Sequence, residues 1–250
     1  MERLLVIPAA GLGSRLGAHT PKLLAPVNDQ PMLLHLLSLY EPVVDRFAIV
    51  VHPSARNAVL HVLQDSSRAI DLFVQEQPTG MLDAILLARS AVESAHPRRV
   101  WITWCDQVAI HPRTLRRLVE ADAGGPLVAL PTCTGPAPYV HLERDASNRI
   151  VRVLHRREGD TMPLEGESDS GLFSLSLPAY LDLLAKFAAA PATGTATGER
   201  NFLPFIPWAS SRGDVVTFPC TEPSEAVGVN TPEDRASVER TLRRRATEAP

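Results

Sequence analysis

Residues 8–26 read PAAGLGSRLGAHTPKLLAP and hold the side chains best suited to chemistry, directly after the apolar run 4–7. Gly11 and Gly13 carry no Cβ, so the backbone there can turn tightly and approach a ligand closely. Successive N–H groups in such a loop can point at phosphate oxygens. Arg15 adds a planar fork of donors and Lys22 a compact point charge, two complementary ways to hold phosphate. Of the 25 basic residues only Lys22 and Lys186 are lysine. A lysine kept in this loop suggests that an ammonium is wanted there. The chemistry implied is that of a nucleoside triphosphate site. Two better-known glycine loops are excluded. The dinucleotide fingerprint requires a third glycine where Leu16 stands, and an acid near the end of the second strand, where Val50, Val51 and His52 stand. The P-loop requires a lysine preceded by glycine and followed by Ser or Thr, whereas Lys22 lies between Pro21 and Leu23.

Other candidates are spread along the chain. Asp106 follows the apolar run 100–104, which places a carboxylate at a strand end, either as a metal ligand or as the start of a turn. Asn230 precedes Thr231-Pro232-Glu233-Asp234, a helix start with Thr as N-cap and Pro at the first position. Thr231 meets the capping need and leaves the Asn230 amide for other work. Gln77 and Gly80 lie in a short Q-P-T-G segment, and glutamine both donates and accepts on a base edge. No Ser, Cys or His arrangement forms a convincing nucleophilic triad.

Ala9, Ala10, Gly11, Gly13, Ser14, Arg15, Pro21 and Lys22 together resemble the A-A-G-x-G-[ST]-R…P-K signature of the sugar-nucleotide pyrophosphorylases and related nucleotidyltransferases. The resemblance implies that Ala9, Ala10, Gly11, Gly13 and Ser14 form the nucleotide loop, with Arg15 and Lys22 as catalytic cations. It implies that Gln77 and Gly80 read the base, and that Asp106 and Asn230, the latter within G-V-N-T-P-E-D, hold Mg²⁺. It sets Asp169 and Gly171 against the acceptor. Two oxygen ligands completed by phosphates and waters suit Mg²⁺. The chain departs from the family pattern at Cys105, Met81, Val140 and Leu154, where glycine, Thr or Ser, glycine and an acid are usual. It also carries Asp169-Ser170 for the usual Asn-Thr. The match is dense over residues 4–110 and then continues as isolated points.

The reaction implied transfers NMP from an NTP to a phosphorylated acceptor, a sugar 1-phosphate, and releases pyrophosphate. The acceptor oxygen is already ionised, so the obstacle is repulsion. Two like charges ~4 Å apart repel by roughly 4 kcal/mol at an effective dielectric near 20. Arg15, Lys22 and Mg²⁺ would neutralise this charge. Two alternatives share the same core: a cytidylyltransferase acting on a phosphoalcohol or phosphonate, and a non-catalytic nucleotide-binding regulatory protein.

The elements that must position these residues follow from periodicity. Strands are predicted over 4–7, 47–51, 71–74, 100–104 and 127–130, alternating with helices over 31–40, 55–64, 81–92 and 113–121. This alternation argues for a parallel sheet with helices on both sides. The resemblance sharpens this to a three-layer α/β/α fold, Rossmann-like, with a mostly parallel mixed sheet of the nucleotide-diphospho-sugar transferase type. In such sheets ligands bind at the carboxyl ends of strands. His35 reads as a packed core histidine, and Arg113, Arg116 and Arg117 as a solvated face. Beyond residue 138 the rhythm changes. Strands are predicted over 139–144, 150–155, 171–175 and 215–218, a helix over 178–189, and a mobile Gly/Thr-rich link over 190–198. Glu199 and Asn201 flank that link, within reach of an acceptor or in structural roles. One nucleotidyltransferase domain is expected over 1–245, with a nucleotide half (1–135), an acceptor half (136–230), a C-terminal helix (231–245) and a tail (246–250).

Bulk composition sets limits. The chain has 250 residues, 45% hydrophobic and 21% charged, ordinary for a soluble globular protein. A net charge of −3 gives no long-range attraction to nucleic acid or anionic membrane. No segment approaches the ~20 apolar residues of a membrane span, and Met1-Glu2-Arg3 lacks the positive charge of a signal peptide. The expected partners are an NTP and a small phosphorylated acceptor, and a homo-oligomer is compatible with the sequence. Cys105, Cys133 and Cys220 are odd in number and far apart, which argues for reduced thiols and a cytoplasmic protein.

Overall fold

The computed structural model describes residues 1–11, 21–190 and 193–248. The predicted residues Gly13, Ser14 and Arg15 lie outside the described residues.

Strand β1 (Arg3–Ala9) is apolar on both faces and buried from Leu4 onward, the pattern of a central strand. A small hairpin follows, β2 (Pro26–Val27) and β3 (Gln30–Pro31), turned by Asn28 and Asp29 with φ of 44° and 61°. Two positive φ values in a two-residue turn match the twist of a hairpin, and Asn and Asp tolerate them. Then come α1 (Met32–Tyr40), β4 (Arg46–Val51), α2 (Arg56–Leu63) and β5 (Ile70–Val74). The single helix predicted over 81–92 is two, α3 (Met81–Leu87) and α4 (Arg89–Ala95), broken at Ala88. Next are β6 (Arg99–Thr103), α5 (Pro112–Ala123) and β7 (Val128–Pro136).

The second half contains the hairpin β8 (Val140–Arg144) and β9 (Ile150–His155), then β10 (Glu165–Asp169), β11 (Leu172–Ser176), α6 (Leu184–Ala188), α7 (Phe205–Ser210), β12 (Val215–Pro219) and α8 (Pro232–Glu248). Strand β10 and helix α7 escape prediction. The sequence of β10, EGESD, carries no β-branched residue, and α7 carries an internal proline. Helix α8 runs to Glu248, past its expected end at residue 245.

Eight strands form one sheet in the order β10-β7-β11-β6-β1-β4-β5, with β12 paired to β7. The β6-β1-β4-β5 portion is parallel, while β11 runs antiparallel to β6 and β7, and β10 antiparallel to β7. Successive side chains of β1 face opposite sides. Leu5 and Ile7 join the core under α1, α2 and α5, and Leu4 and Val6 join that under α3, α4, α6 and α7. His35 is half-buried, with Nε2 2.7 Å from the Val27 carbonyl, in keeping with a packed histidine. Arg113 and Arg116 are exposed, whereas Arg117 stacks on Phe218 and donates to the Pro219 carbonyl.

The cysteine reading is corrected. Cys133 and Cys220 form a disulfide, with Cα atoms 5.5 Å apart. The register pairs Thr132 with Pro219 in the parallel β7–β12 ladder, so the following residues on each strand meet. A separation of 87 residues hides this from any spacing rule. Cys105 is a free thiol, which burial pushes up to about 12 although Lys22 pulls the other way. A thiol held that high is a poor nucleophile.

The link predicted as mobile is tied down in its described part. The Glu158 carboxylate accepts from Thr197 Oγ1 (2.6 Å) and from the N–H groups of Ala196 and Thr197. No helix among the described residues is long and apolar enough to cross a membrane.

Candidate functional site

Three segments distant in sequence meet at the carboxyl edge of the sheet. Pro21 starts a single 3-10 turn over Lys22–Leu24, closed by Leu24 N–H donating to the Pro21 carbonyl at 2.8 Å. Leu23 and Leu24 bury themselves in the core, which anchors the turn and directs the Lys22 ammonium toward the sheet edge. Its Nζ lies 2.5 Å from Asp106 Oδ2 and 2.8 Å from Asn230 Oδ1.

Asp106 follows β6, which pairs in parallel with β1, so Asp106 and the start of the predicted nucleotide loop leave the sheet at the same edge. Its carbonyl accepts from Val229 N–H at 3.1 Å, which joins the third segment to the second through main chain. Asn230 is oriented from both sides. Its Nδ2 donates to the Gly228 carbonyl (3.2 Å), which turns Oδ1 toward the ammonium. Its N–H donates to Asp234 Oδ2, as does that of Thr231, while Thr231 Oγ1 accepts from Asp234 N–H. This reciprocal cap fixes the start of α8. Farther back, the buried Glu225 carboxylate accepts from His111 N–H, Thr114 Oγ1 and Glu222 N–H and holds the approach to this segment.

Gly228 lies close against the Asp106 side chain. A Cβ there would sit 3.0 Å from Asp106 Cγ and 3.1 and 3.2 Å from its oxygens. Gly228→Ala is expected to displace the carboxylate and lower turnover about 10-fold or more, on the scale by which small misplacements tell. Its melting temperature should stay near wild type. Wild-type turnover in Gly228→Ala would show that this carboxylate position is not needed.

One carboxylate oxygen and one carboxamide oxygen converging on one atom are hard donors, and they fit a Mg²⁺ ion that substrate phosphates and waters complete. Among the described residues there is no group of three or more His, Cys, Asp and Glu that could make an all-protein cage.

The other predicted residues fall as follows. Ala9 and Ala10 are buried at the end of β1, and Gly11 is exposed with open space around it. Gln77 is exposed beyond β5. Gly80 has φ +132°, and a Cβ there would lie 2.4 Å from the main-chain N and O of Arg200. Packing against Arg200 therefore suffices to require glycine at this position. The buried glutamine of the segment is Gln75, whose Nε2 donates to the Gly80 carbonyl (3.2 Å) and Thr79 Oγ1 (3.3 Å). No sequence pattern singled it out.

Of the residues predicted to face the acceptor, Asp169 Oδ1 accepts from Gly171 N–H at 2.8 Å, and Gly171 adopts φ +71°. The Gly171 carbonyl accepts from Trp104 N–H, which ties this turn to the end of β6 beside Asp106. Val140 packs against the second core and Leu154 is buried. Glu199 pairs with Arg157 at 2.8 Å. Asn201 Nδ2 lies 3.3 Å from His155 Nδ1, in the lining of a separate cavity of about 240 Å³.

Burial pushes the Asp169 carboxyl up to about 6, against the opposing pull of the Gly171 N–H. A folded value above the unfolded one, near 3.9, means that the fold favours the protonated form. Its contribution to stability is full below pH ~4, falls between pH ~4 and ~6, and stays lost above. Asp169→Asn keeps an oxygen for Gly171 and carries no charge. It should stabilise the protein by about 1–3 kcal/mol at pH 7.5 and by nothing at pH 4. Denaturant titrations at the two pH values test this, and equal differences at both would remove the carboxyl from the explanation.

Two solved structures share this architecture. One is a putative glucose-1-phosphate thymidylyltransferase from Bacillus anthracis in complex with a sucrose, with TM-score 0.77, 16% identity, and coverage of 97% of this chain and 95% of that one. The other is HddC from Yersinia pseudotuberculosis, with TM-score 0.68, 18% identity, and coverage of 97% and 100%. At these identities the likeness establishes the fold, a mostly parallel mixed sheet between helices, as in nucleotidyltransferases.

Residues 5–167 match the MobA-like NTP transferase domain, and the chain belongs to that family. Curated relatives include the bifunctional protein GlmU of Paraburkholderia phytofirmans, 28% identical over 94% of this chain and 51% of the relative. GlmU of Aquifex aeolicus is 29% identical over 95% and 53%. The chain thus spans about half the length of these relatives.

Proposed function

We propose that this protein transfers a nucleoside monophosphate from an NTP to the phosphate of a small acceptor, a sugar 1-phosphate, with Mg²⁺ as cofactor and pyrophosphate as the second product. The observation that carries the reading is the convergence of Lys22, Asp106 and Asn230 from three distant segments beside the start of the nucleotide loop. The structure of the same fold described as a putative glucose-1-phosphate thymidylyltransferase supports a sugar 1-phosphate as acceptor.

In this reading an acceptor phosphate oxygen attacks the α-phosphorus in line. The new P–O bond forms as the bond from the α-phosphorus to the bridging oxygen breaks, and pyrophosphate leaves with the electron pair. The nucleophile is already an anion, so the chain supplies no general base. Arg15 and Lys22 hold and neutralise the phosphates, while the turn at Asp169 and Gly171 orients the acceptor. Asp106 and Asn230 would hold Mg²⁺, which when bound supplies positive charge to phosphate oxygens.

The unit proposed is residues 1–245, with the nucleotide half over 1–135 and the acceptor half over 136–230. We place it in the cytoplasm, where NTP is abundant. This placement rests on the substrate and no longer on the cysteines. The test is pyrophosphate release with Mg²⁺ in a matrix of four NTPs against phosphorylated acceptors. One NTP with one sugar 1-phosphate should dominate. No release from any combination would end the proposal.

A further inference from the structure

We infer that Gln107 is a specificity residue of the acceptor site, its side-chain amide receiving a hydrogen bond from a hydroxyl group of the acceptor. This rests on the nucleotidyl-transfer reading above and narrows its substrate class.

Gln107 follows Asp106 directly and is only 6% exposed. Its Oε1 is shielded from solvent and has no hydrogen-bond partner among the described residues. Buried polar atoms are almost always paired, because an unpaired one has lost water and gained nothing. If Gln107 served only to fill space, leucine or methionine would do so without an orphaned oxygen.

Its surroundings indicate which ligand brings the donor. Gln107 N–H donates to the Trp104 carbonyl at 3.1 Å, which closes a turn directly after β6. There the side chain meets the turn that holds Asp169 and Gly171. A Cβ on Gly171 would lie 2.6 Å from Gln107 Cγ and 2.5 Å from Trp104 Cδ1. The Gln107 side chain, directly after Asp106, thus lies with its Cγ against the turn at Gly171. A hydroxyl could come from the acceptor or from the ribose of the nucleotide. Contact with the Asp169–Gly171 turn selects the acceptor. The class implied is a hydroxylated phosphomonoester. Phosphocholine, whose quaternary nitrogen bears no hydrogen, cannot donate.

The experiment compares wild type, Gln107→Leu and Gln107→Met with glucose 1-phosphate and its monodeoxy analogues, glycerol 3-phosphate and phosphocholine, at saturating NTP. Wild type should prefer a hydroxylated acceptor. Gln107→Leu should raise KM for that acceptor about 10–100-fold, as for a lost hydrogen bond to a buried group, and leave KM for NTP within about two-fold. One deoxy analogue should cost wild type the same factor and cost the variant nothing more. Because the oxygen removed has no partner, the variant should melt at or above the wild-type temperature, and Gln107→Met should repeat the pattern if leucine packs poorly.

A preference of wild type for phosphocholine overturns the inference. So does an unchanged acceptor KM, an effect on NTP in place of acceptor, or an equal loss on every acceptor. If wild type releases pyrophosphate with no acceptor at all, the nucleotidyl-transfer reading falls with it. Turnover with unaltered discrimination in the variants sinks this inference alone.

Discussion

Alanine in place of Asp106 is expected to lower Mg²⁺-dependent pyrophosphate release by at least about three decades, on the scale of losing a principal source of transition-state charge stabilisation. The fold should survive. What the segment contributes to architecture is main chain, the Asp106 carbonyl accepting from Val229 N–H, and alanine keeps it. The carboxylate itself meets Lys22, and that ammonium retains Asn230 Oδ1 when Asp106 is gone. A melting temperature near wild type together with lost turnover separates a binding defect from an unfolded chain. Asp106→Asn sharpens the test, since it preserves shape and removes charge. Mg²⁺ stimulation that persists in Asp106→Ala would contradict the assignment.

Arg15→Ala is expected to lower turnover by about two to four decades, the range seen when a group that stabilises transition-state charge is removed. Arg15 lies outside the described residues, and its expected contribution is charge. The Lys22 ammonium is shared between Asp106 and Asn230. Triphosphate and acceptor together bring more negative charge than one ammonium offsets. A guanidinium in the loop supplies a further cation with a bidentate fork suited to phosphate. Arg15→Lys should recover only part of the loss. Near-normal turnover in Arg15→Ala would remove the residue from the mechanism.

Much of this architecture can be read from the sequence, for identifiable reasons. The parallel strands β1, β4, β5 and β6 are predominantly apolar runs with helices of the right length between them, so periodicity finds them. Strand β10 is invisible to the same reasoning, because its five residues pair at the sheet edge through main chain with no apolar signal. Lys22, Asp106 and Asn230 were each conspicuous through local context: a rare lysine, an acid at a strand end, and an amide beside a complete helix cap. The structure shows that they meet. Gly80, predicted to face the base, also packs against the Arg200 main chain, a contact that its local sequence does not reveal. Gln75, Gln107 and the Cys133–Cys220 disulfide depend on which atoms the fold brings together, and nothing within a few residues of each announces it.

The Lys22–Asn230 contact spans 208 positions of the chain. Closing so long a loop is entropically costly and comes late when non-local contacts dominate folding. During synthesis, therefore, the ribosome must translate past residue 230 before a competent centre can exist. If Asn230 has the role proposed for it, a nascent polypeptide already holding every strand of the sheet would not turn over nucleotide until the start of its last helix emerged.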